Sequence, residues 1–426
     1  MRRPVPTSQT RRALILGVLG GLALPHVARA APARVVIIGA GVAGASFATY
    51  AAALLRGAAE IVLVEPAPGY LALYRSNLVL GGMAEMQEIW SGYDALARRS
   101  GIKWVAARAV RLDRDRRELI LADGSRLGYE LAIIAPGIGL DYDSVPGWSR
   151  EAAAVMPHAW KGAEQFHLLK RQLDAIPDGG RIVILPPPDP SRCPPAPYER
   201  ASMMAAALKA SGRGECRIFI VDAKERFAKM ALFLDAWQNY YPGMIEWLPP
   251  SIHEGVKRVD PSTMSVETGF ETYRDCALVN VIPAQTAPQI AVASALTDAT
   301  GFCPVGAQDM RSVFDPRIFV LGDAAHAGQM PKSASAANSQ AAVAARAVAT
   351  ELLGEHSGPP HYESLCWSLL AKDDGVKSTV RFTAISDAFE SYEDTFSGLH
   401  ETSDVREANA EESSVWFANL QKEIFK

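Results

Sequence analysis

A buried strand that runs directly into a glycine-rich turn is the feature that most constrains this fold. The apolar run Arg34–Ile38 is followed by three glycines in the spacing Gly-x-Gly-x-x-Gly, namely Gly39, Gly41 and Gly44. In a parallel βαβ unit the first glycine allows the tight turn, the second lets a pyrophosphate approach the backbone, and the third lets helix and strand pack closely. Free N–H groups at the start of the following helix favour the phosphates. The sequence therefore predicts a dinucleotide-binding domain.

A second strand supplies the acidic residue that such a domain needs. The apolar run at 61–64 ends at Glu65, 21 residues after Gly44, where a carboxylate would bind the ribose diol of a dinucleotide. Ala43 lies inside the glycine-rich loop, and we expect it beside the phosphates. The position of the loop between a strand and a helix makes a chance run of glycines a poor explanation.

Two later segments indicate that the dinucleotide is FAD. Residues 317–325 form an apolar run containing Gly322 and Asp323, which resembles the strand that closes the FAD site in flavoproteins with two dinucleotide-binding domains. Residues 131–137 resemble the middle motif of those proteins and end in Ala135, Pro136 and Gly137. The resemblance implies that Asp323 meets the ribityl chain, and the plainer alternative is a helix N-cap.

A second βαβ pattern lacks the glycine fingerprint. The strand Arg181–Leu185 precedes a helix from about Tyr198 to Ala210 and a strand that ends at Asp222. The loop at 186–197 is rich in proline, which has no N–H group and whose ring prevents close approach of a pyrophosphate. We therefore expect no NAD(P)H. The loop is predicted to be a stiff, extended arm that carries Cys193.

These patterns predict an α/β fold with two Rossmann-like domains of the glutathione-reductase-like type and a C-terminal α+β interface domain. The FAD-binding domain is split by the second domain. The expected boundaries are a signal peptide at 1–30, the first part of the FAD-binding domain at 31–148, the second Rossmann-like domain at 149–285, the second part of the FAD-binding domain at 286–356, and the C-terminal domain at 357–426.

The amino terminus is predicted to be an export signal. Arg11 and Arg12 precede an apolar run at 13–24, and residues 28–30 offer a small-residue cleavage site, as in a twin-arginine signal peptide. The alternative is a short N-terminal anchor helix. Removal after Ala30 leaves 38 basic and 47 acidic residues, a net charge of −9. We therefore expect an acidic periplasmic protein that does not bind nucleic acid and has no membrane-spanning run.

Four strings resemble the flavoprotein subunit of flavocytochrome c sulfide dehydrogenase, and the resemblance extends from about residue 33 to Gly375. They are Pro157–Lys161, Arg192–Ser202, Gly301–Val305 and Met330–Gln340. The resemblance implies that sulfide is oxidised at a flavin and a disulfide, and that electrons then pass to a c-type cytochrome subunit with one or two haems. This chain has no Cys-x-x-Cys-His haem motif, so the haem would belong to another subunit.

Carried over to this chain, the resemblance makes Cys193 and Cys366 the two halves of the redox disulfide. Hydrosulfide can open an exposed or strained disulfide to a persulfide, but a purely structural disulfide is the alternative. Glu199 resembles the family's active-site carboxylate and is a candidate proton carrier. It is equally a first-turn acid favoured by the helix dipole. The remaining cysteines are expected to be core thiols: Cys216, Cys276 and Cys303.

Two further features concern the flavin. The segment from Lys332 to Gln340 is predicted to open a helix aimed at the flavin pyrimidine, where its N-terminus would stabilise negative charge; a packing helix is the alternative. The family often tethers FAD through a cysteine, but the matching position here is Leu73, and no cysteine precedes Cys193. We therefore predict non-covalent FAD. We expect no metal site.

The tail is acidic, with nine acids and one base, Arg406, between Asp387 and Glu412. It is either a solvated surface or part of the docking region for a cytochrome, since complementary charge speeds association. Two alternatives to the sulfide:cytochrome c function stay open. One is a sulfide:quinone or other thiol oxidoreductase, and the other is a non-catalytic FAD-binding subunit or assembly factor.

Overall fold

The first strand and the glycine-rich turn lie at the centre of a parallel sheet, because this strand is apolar along its whole inner length. The computed structural model describes residues 1, 32–354 and 358–425, without the side chains of 99 and 100. Residues 33–426 form one unit. The proposed signal peptide lies outside the described residues, apart from Met1.

Among its described residues, the stretch predicted to be the first part of the flavin-binding domain contains ten strands and three α-helices. The strands are β1 (Ala33–Ile38), β2 (Ala59–Val64), β3 (Gly69–Leu71), β4 (Trp90–Gly92), β5 (Lys103–Val105), β6 (Ala109–Asp113), β7 (Glu118–Leu121), β8 (Arg126–Gly128), β9 (Leu131–Ile134) and β10 (Gly139–Leu140). The helices are α1 (Val42–Leu55), α2 (Ser76–Leu80) and α3 (Asp94–Ser100).

The second domain follows in the chain and is built around four parallel strands. Its helices are α4 (Ala163–Ala175), α5 (Ala196–Ala210), α6 (Met230–Tyr240) and α7 (Pro250–His253). Its strands are β11 (Arg181–Leu185), β12 (Arg217–Val221), β13 (Ile245–Leu248), β14 (Val256–Asp260), β15 (Ser265–Thr268), β16 (Thr272–Tyr273) and β17 (Leu278–Val281), and β18 (Gln285–Thr286) leads out of it. The parallel strands lie in the order β13-β12-β11-β17.

The chain then returns to the first sheet. The next elements are α8 (Gln289–Ala293), β19 (Cys303–Pro304), β20 (Arg311–Ser312), β21 (Asp315–Val320), β22 (Ala325–His326) and α9 (Ala334–Leu353). The six-stranded sheet has the order β20-β21-β9-β1-β2-β5. Strands β21 and β9 are parallel neighbours, and β9 pairs with β1. Strands separated by nearly 200 residues therefore form one site at their carboxyl ends.

The C-terminal segment forms a small antiparallel sheet and a long helix. Its elements are β23 (His361–Ala371), β24 (Asp374–Ile385), β25 (Ala388–Phe396) and α10 (Ser403–Phe425). One face of α10 is buried, and Phe417, Leu420 and Ile424 belong to the hydrophobic cores. The α/β fold class predicted from the sequence is confirmed. Among the described residues, no helix is both long enough and apolar enough to cross a membrane.

Candidate active site at the flavin-binding sheet edge

The glycine-rich turn packs so closely that side chains are excluded from it. Gly39 has a φ of +91°, and a Cβ atom there would lie 2.4 Å from the carbonyl oxygen of Ala135. A Cβ atom at Gly44 would lie 1.9 Å from the carbonyl oxygen of Gly39. The first and middle motifs therefore meet, with Pro136 and Gly137 directly after the contact with Ala135.

The start of α1 offers an open cradle for phosphate. A Cβ atom on Gly41 would meet only the ring of Tyr70, at 3.7 Å. No side chain caps the helix, and its first turn contains no acidic residue. The first N–H groups of a helix have no partner within it, so they are free to bind an anion. These residues fit the pyrophosphate of FAD.

Glu65 is fixed at the edge of this loop. Its carboxylate accepts hydrogen bonds from the backbone N–H of Ala40 (3.2 Å) and of Ala67 (3.0 Å). A carboxylate has about four acceptor positions, so capacity remains for the two hydroxyl groups of a ribose. This geometry fits the role that the sequence predicts for Glu65.

The Gly-Asp segment after β21 lies against the first motif. Gly322 has a φ of +69°, and a Cβ atom there would lie 3.1 Å from the Cβ atom of Ala43. Its N–H group donates to Oε1 of Gln340 at 2.7 Å. The three motifs and Gln340 therefore converge on one sheet edge, as a flavin site requires.

Lys332 is held close to this edge, immediately before α9. Its ammonium donates to the carbonyl oxygens of Asp323 (2.9 Å) and Ala325 (2.6 Å) and lies 3.8 Å from the ring centre of Phe302. Burial lowers the pKa of Lys332 to about 8, although Asp323 opposes the change. Ser333 caps α9 by accepting the N–H of Ala336 at 3.1 Å.

The proline-rich loop is fastened to the flavin edge on both sides of its cysteine. The N–H of Cys193 donates to the carbonyl oxygen of Lys332 at 2.9 Å. The guanidinium of Arg192 lies 3.7 Å from the carboxylate of Asp323, and its N–H donates to Oε1 of Gln285 at 2.8 Å. The prediction of an extended arm is wrong in part. The loop bends at residues 189–190, and these hydrogen bonds rather than proline stiffness fix Cys193.

Both candidate redox cysteines and Glu199 line one small cavity of about 70 Å³. Cys193 comes from the proline-rich loop, Cys366 from β23 and Glu199 from the first turn of α5. Both cysteines are half-buried free thiols, so this structure does not contain the disulfide that the resemblance implies. The other lining residues include Tyr74, Arg75, Ser333, Trp367, Ser413 and Trp416. A cavity of this size suits a ligand of a few atoms.

Glu199 is buried, and its two oxygens accept hydrogen bonds from different elements. The side-chain amide of Asn77 donates to Oε2 at 2.8 Å, and the N–H of Leu369 donates to Oε1 at 2.9 Å. Burial raises the pKa of the Glu199 carboxyl, and these two hydrogen bonds together with Lys229 and Arg75 oppose the shift. A carboxyl group whose neutral form is favoured beside two sulfur atoms suits proton transfer.

Burial also favours the neutral form of Cys193. It raises the pKa of the Cys193 thiol well above its ordinary value; the nearby sulfur of Cys366 adds to the shift and Arg192 opposes it. A thiolate formed at Cys193 is therefore a strong base in need of a proton donor.

Several residues of this site carry no signal in the sequence. Asn77 orients Glu199, Lys229 reaches Cys366, and Ser413 and Trp416 of α10 close the cavity. No local pattern marks them, because each acts on a residue more than 40 positions away. The other three cysteines are buried, which confirms that they are core thiols: Cys216, Cys276 and Cys303.

In the second domain, the carboxylate that ends the second strand is engaged by side chains of the protein itself. Asp222, at the end of β12, is buried and accepts hydrogen bonds from the hydroxyl of Tyr198 (2.5 Å) and from the indole of Trp247 (2.9 Å). The ammonium of Lys224 lies 3.1 Å from the same carboxylate. The ring of Tyr198 stacks on Phe227 with centres 3.6 Å apart. The carboxylate that would bind a ribose in such a domain is therefore engaged within the protein.

Comparison with known proteins agrees with this architecture. Residues 33–184 match the family model "Pyridine nucleotide-disulphide oxidoreductase". Residues 166–283 match "Sulfide dehydrogenase [flavocytochrome c] flavoprotein chain, central", and residues 358–425 match "Flavocytochrome c sulphide dehydrogenase, flavin-binding".

Individual relatives are more distant. The mitochondrial sulfide:quinone oxidoreductase of Mus musculus is 23% identical over 316 residues, which are 71% of this chain and 67% of that protein. The sulfide:quinone oxidoreductase structure from Aquifex aeolicus has a TM-score of 0.68 at 17% identity and covers 92% of both chains. The NAD-dependent persulfide reductase from A. fulgidus has a TM-score of 0.62 at 15% identity, covering 92% of this chain and 77% of that one. Likeness at this level shows the fold.

The fold and the three converging motifs define an FAD-containing member of the pyridine nucleotide-disulfide oxidoreductase superfamily. Within that superfamily, the chain belongs to the flavocytochrome c sulfide dehydrogenase flavoprotein type. It is an oxidoreductase that acts on sulfide.

Proposed function

We propose that this chain is the flavoprotein subunit of a sulfide:cytochrome c oxidoreductase that works through FAD and a Cys193–Cys366 disulfide. The main support is that Cys193 and Cys366, which are 173 positions apart in the sequence, line the same small cavity as the buried carboxyl group of Glu199. The loop that bears Cys193 is bound to Asp323 and Lys332, residues of the flavin edge.

In the proposed reaction, hydrosulfide attacks one sulfur of the disulfide. A bond forms between the two sulfur atoms, the disulfide bond breaks, and its second sulfur leaves with the electron pair as a thiolate. The sulfide sulfur is thereby oxidised to the persulfide level and the disulfide is reduced by two electrons. When bound, FAD would supply a two-electron acceptor for this thiolate and persulfide, and the two cysteines would then be joined through the added sulfur.

Glu199 is proposed to donate a proton to the leaving thiolate. Its neutral form, which burial favours, has a proton to give, and the buried Cys193 thiolate would be a strong base. Hydrogen bonds from Asn77 and Leu369 orient the carboxyl.

We predict that Glu199→Gln slows reduction of the flavin by sulfide by about 10²-fold, the lower end for loss of a general acid. Because the pKa of Glu199 is raised, the neutral acid persists above the ordinary pH range of a glutamate and is lost as the pH rises through the raised pKa. The ratio of wild-type to variant rates should therefore fall with rising pH, measured by stopped-flow absorbance. At each pH both proteins are exposed to the same concentration of hydrosulfide, so the ratio of their rates does not depend on the ionisation of sulfide itself. A ratio that does not change with pH would show that Glu199 acts only through packing.

We propose that the FAD is bound without a covalent link. The position that matches the tethering cysteine is Leu73, in a single 3₁₀ turn at Leu73–Arg75. The glycine-rich turn, Glu65 and Gly322 lie at one sheet edge and offer a surface for non-covalent binding, which supports the proposal.

Acid precipitation tests this directly. We expect all of the yellow colour to leave with the supernatant when the purified protein is precipitated in trichloroacetic acid. Mass spectrometry of the pellet should give the mass of the polypeptide alone. A pellet that keeps the flavin, with a mass increased by that of FAD, would contradict the proposal.

The acidic C-terminal surface is proposed to receive the cytochrome. Exposed acids of β25 and α10 alternate with exposed apolar side chains, including Tyr392 (53% exposed), Phe396 (64%) and Val415 (52%). An apolar patch with a charged rim is typical of transient electron-transfer interfaces. The acids are Glu390, Glu393, Asp394, Asp404, Glu407 and Glu411.

A direct assay distinguishes a cytochrome acceptor from a quinone acceptor. The purified holoprotein is given sulfide anaerobically, with either a c-type cytochrome or a soluble ubiquinone analogue. We expect cytochrome reduction that slows as salt rises, because screening weakens the charge complementarity. Rapid quinone reduction without cytochrome reduction would favour the alternative, to which the sulfide:quinone oxidoreductase relatives point. The acidic tail argues against a membrane quinone as the acceptor, since anionic lipid repels acidic protein surfaces.

We also propose that the protein is exported to the periplasm by the twin-arginine signal at 1–30. This route carries folded proteins, which suits a holoprotein that acquires FAD before export. We propose in addition that NAD(P)H is not a substrate, which the proline-rich loop and the engaged carboxylate of Asp222 support.

A further inference from the structure

Lys229 is the lysine that reaches the second redox cysteine. It directly precedes α6 and has a φ of +63°, in the left-handed region. Its ammonium donates hydrogen bonds to the carbonyl oxygen of Cys366 (2.8 Å) and to Oγ of Ser368 (3.2 Å), and it lies 3.8 Å from Sγ of Cys366. The sulfur is therefore within hydrogen-bond reach of a positive charge.

The charge on Lys229 has only neutral partners at close range. Its other hydrogen bond is to the carbonyl oxygen of Val376, at 3.3 Å. Within residues 32–354 and 358–425, no carboxylate lies within 4 Å of its ammonium. Glu199 and Arg75 are charged groups that line the cavity, and burial favours the neutral form of Glu199. An anionic sulfur at Cys366, which also lines the cavity, would place a negative charge beside an ammonium whose three closest partners are neutral oxygens.

The two cysteines face different surroundings. Cys193 belongs to the loop that Arg192 and Lys332 fasten to the flavin edge. Cys366 lies in β23 beside Lys229. When an incoming anion bonds to Cys366, the sulfur that leaves as a thiolate is Cys193, whose N–H group is hydrogen-bonded to the carbonyl oxygen of Lys332.

We propose that Lys229 is a positioning residue that draws hydrosulfide to Cys366 and stabilises anionic sulfur there. This inference rests on the proposed function. In the step that it assists, hydrosulfide bonds to Sγ of Cys366 and the bond between the two cysteine sulfurs breaks. Cys193 leaves with the electron pair, and the proton of hydrosulfide stays on the terminal sulfur of the new persulfide.

The first test compares a charged with an uncharged reductant of the same disulfide. Stopped-flow reduction of the holoprotein by sulfide is measured for wild type, Lys229→Met and Lys229→Arg. Thiol release by the uncharged tris(hydroxypropyl)phosphine is measured for the same proteins. The control is Lys209→Met, at an exposed lysine on α5 whose amine donates to the carbonyl oxygen of Tyr240.

We expect Lys229→Met to slow the reaction with sulfide about tenfold, because an opposite charge within 4–6 Å changes the stability of an anion by at least that factor. Lys229→Arg should retain most of the wild-type rate with sulfide, and Lys209→Met should react at the wild-type rate. Reduction by the phosphine should change less than about twofold, because no anion approaches. Equal losses with both reductants, or no loss with sulfide, would overturn the proposal.

The second test does not depend on sulfide turnover. The reduced holoprotein is treated with iodoacetamide at neutral pH, and alkylation of Cys366 is followed by peptide mass spectrometry. The attacking sulfur is anionic, and the ammonium of Lys229 lies 3.8 Å from Sγ of Cys366, so Lys229→Met should slow alkylation of Cys366 more than that of Cys193. Unchanged alkylation of Cys366 would overturn the role of Lys229. If sulfide does not reduce the wild-type protein, the proposed function is wrong. The alkylation rates still show whether Lys229 acts on Cys366.

Discussion

The Cys366→Ser protein is expected to keep its FAD and its visible spectrum and to lose reduction by sulfide. A serine hydroxyl cannot form the disulfide, so hydrosulfide has no electrophilic sulfur to attack. Removing a group on which a covalent mechanism depends costs about 10³-fold or more, and we expect a loss of this size in the rate of flavin bleaching. Stopped-flow absorbance of the anaerobic holoprotein measures it. Cys193→Ser should behave in the same way.

The control is Cys276→Ser, which makes the same change at a buried thiol that does not line the cavity. It should bleach at the wild-type rate, although its stability falls because a hydroxyl replaces a thiol in the core. If Cys366→Ser bleaches as fast as wild type, sulfide reacts directly with the flavin and the cysteines act only as a structural staple.

Gly44→Ala is expected to purify largely without flavin. The added Cβ atom would lie 1.9 Å from the carbonyl oxygen of Gly39, and because this is a backbone atom, no side-chain movement relieves the clash. Overpacking costs about 1–3 kcal/mol or more, and here it displaces the turn that cradles the pyrophosphate. The measurement is the ratio of flavin to protein absorbance after gel filtration, with circular dichroism to verify folding.

Gly92→Ala serves as the matched control. A Cβ atom on this glycine of β4 meets no other atom within 4 Å, so the variant should retain a full complement of FAD. A folded Gly44→Ala protein with the same FAD content as wild type would show that the glycine-rich turn does not bind the cofactor.

The local parts of the flavin site could be predicted because their signals are contiguous. The strand, the turn and Glu65 fall within one 32-residue stretch from Arg34, and each glycine has a steric requirement that the sequence alone expresses. The register of β1, β2 and β9 then follows from buried parallel pairing. Gly322 and Asp323 needed a resemblance to known flavoproteins, since nothing local relates them to Gly39.

The substrate cavity was harder to predict because it is assembled from distant segments. Cys193 and Cys366 were paired through the family resemblance, and no spacing rule would have paired them. Lys229 and Cys366 lie 137 positions apart, and Lys229 occurs in a sequence context that looks like an ordinary helix start. The proline-rich loop was expected to extend because proline stiffens a chain, but tertiary hydrogen bonds from Arg192 and Cys193 determine its course.

An anaerobic sulfide titration is the most direct test of sulfide oxidation through FAD and the Cys193–Cys366 disulfide. The cysteine peptides of the purified mature holoprotein are analysed by mass spectrometry without reduction, and its absorbance is recorded before and after one equivalent of sulfide. We expect the oxidised protein to contain a linked Cys193–Cys366 peptide pair, sulfide to bleach the flavin band, and a c-type cytochrome to restore it. A flavin band that does not respond to sulfide, in a protein whose two cysteines are linked, would contradict this mechanism.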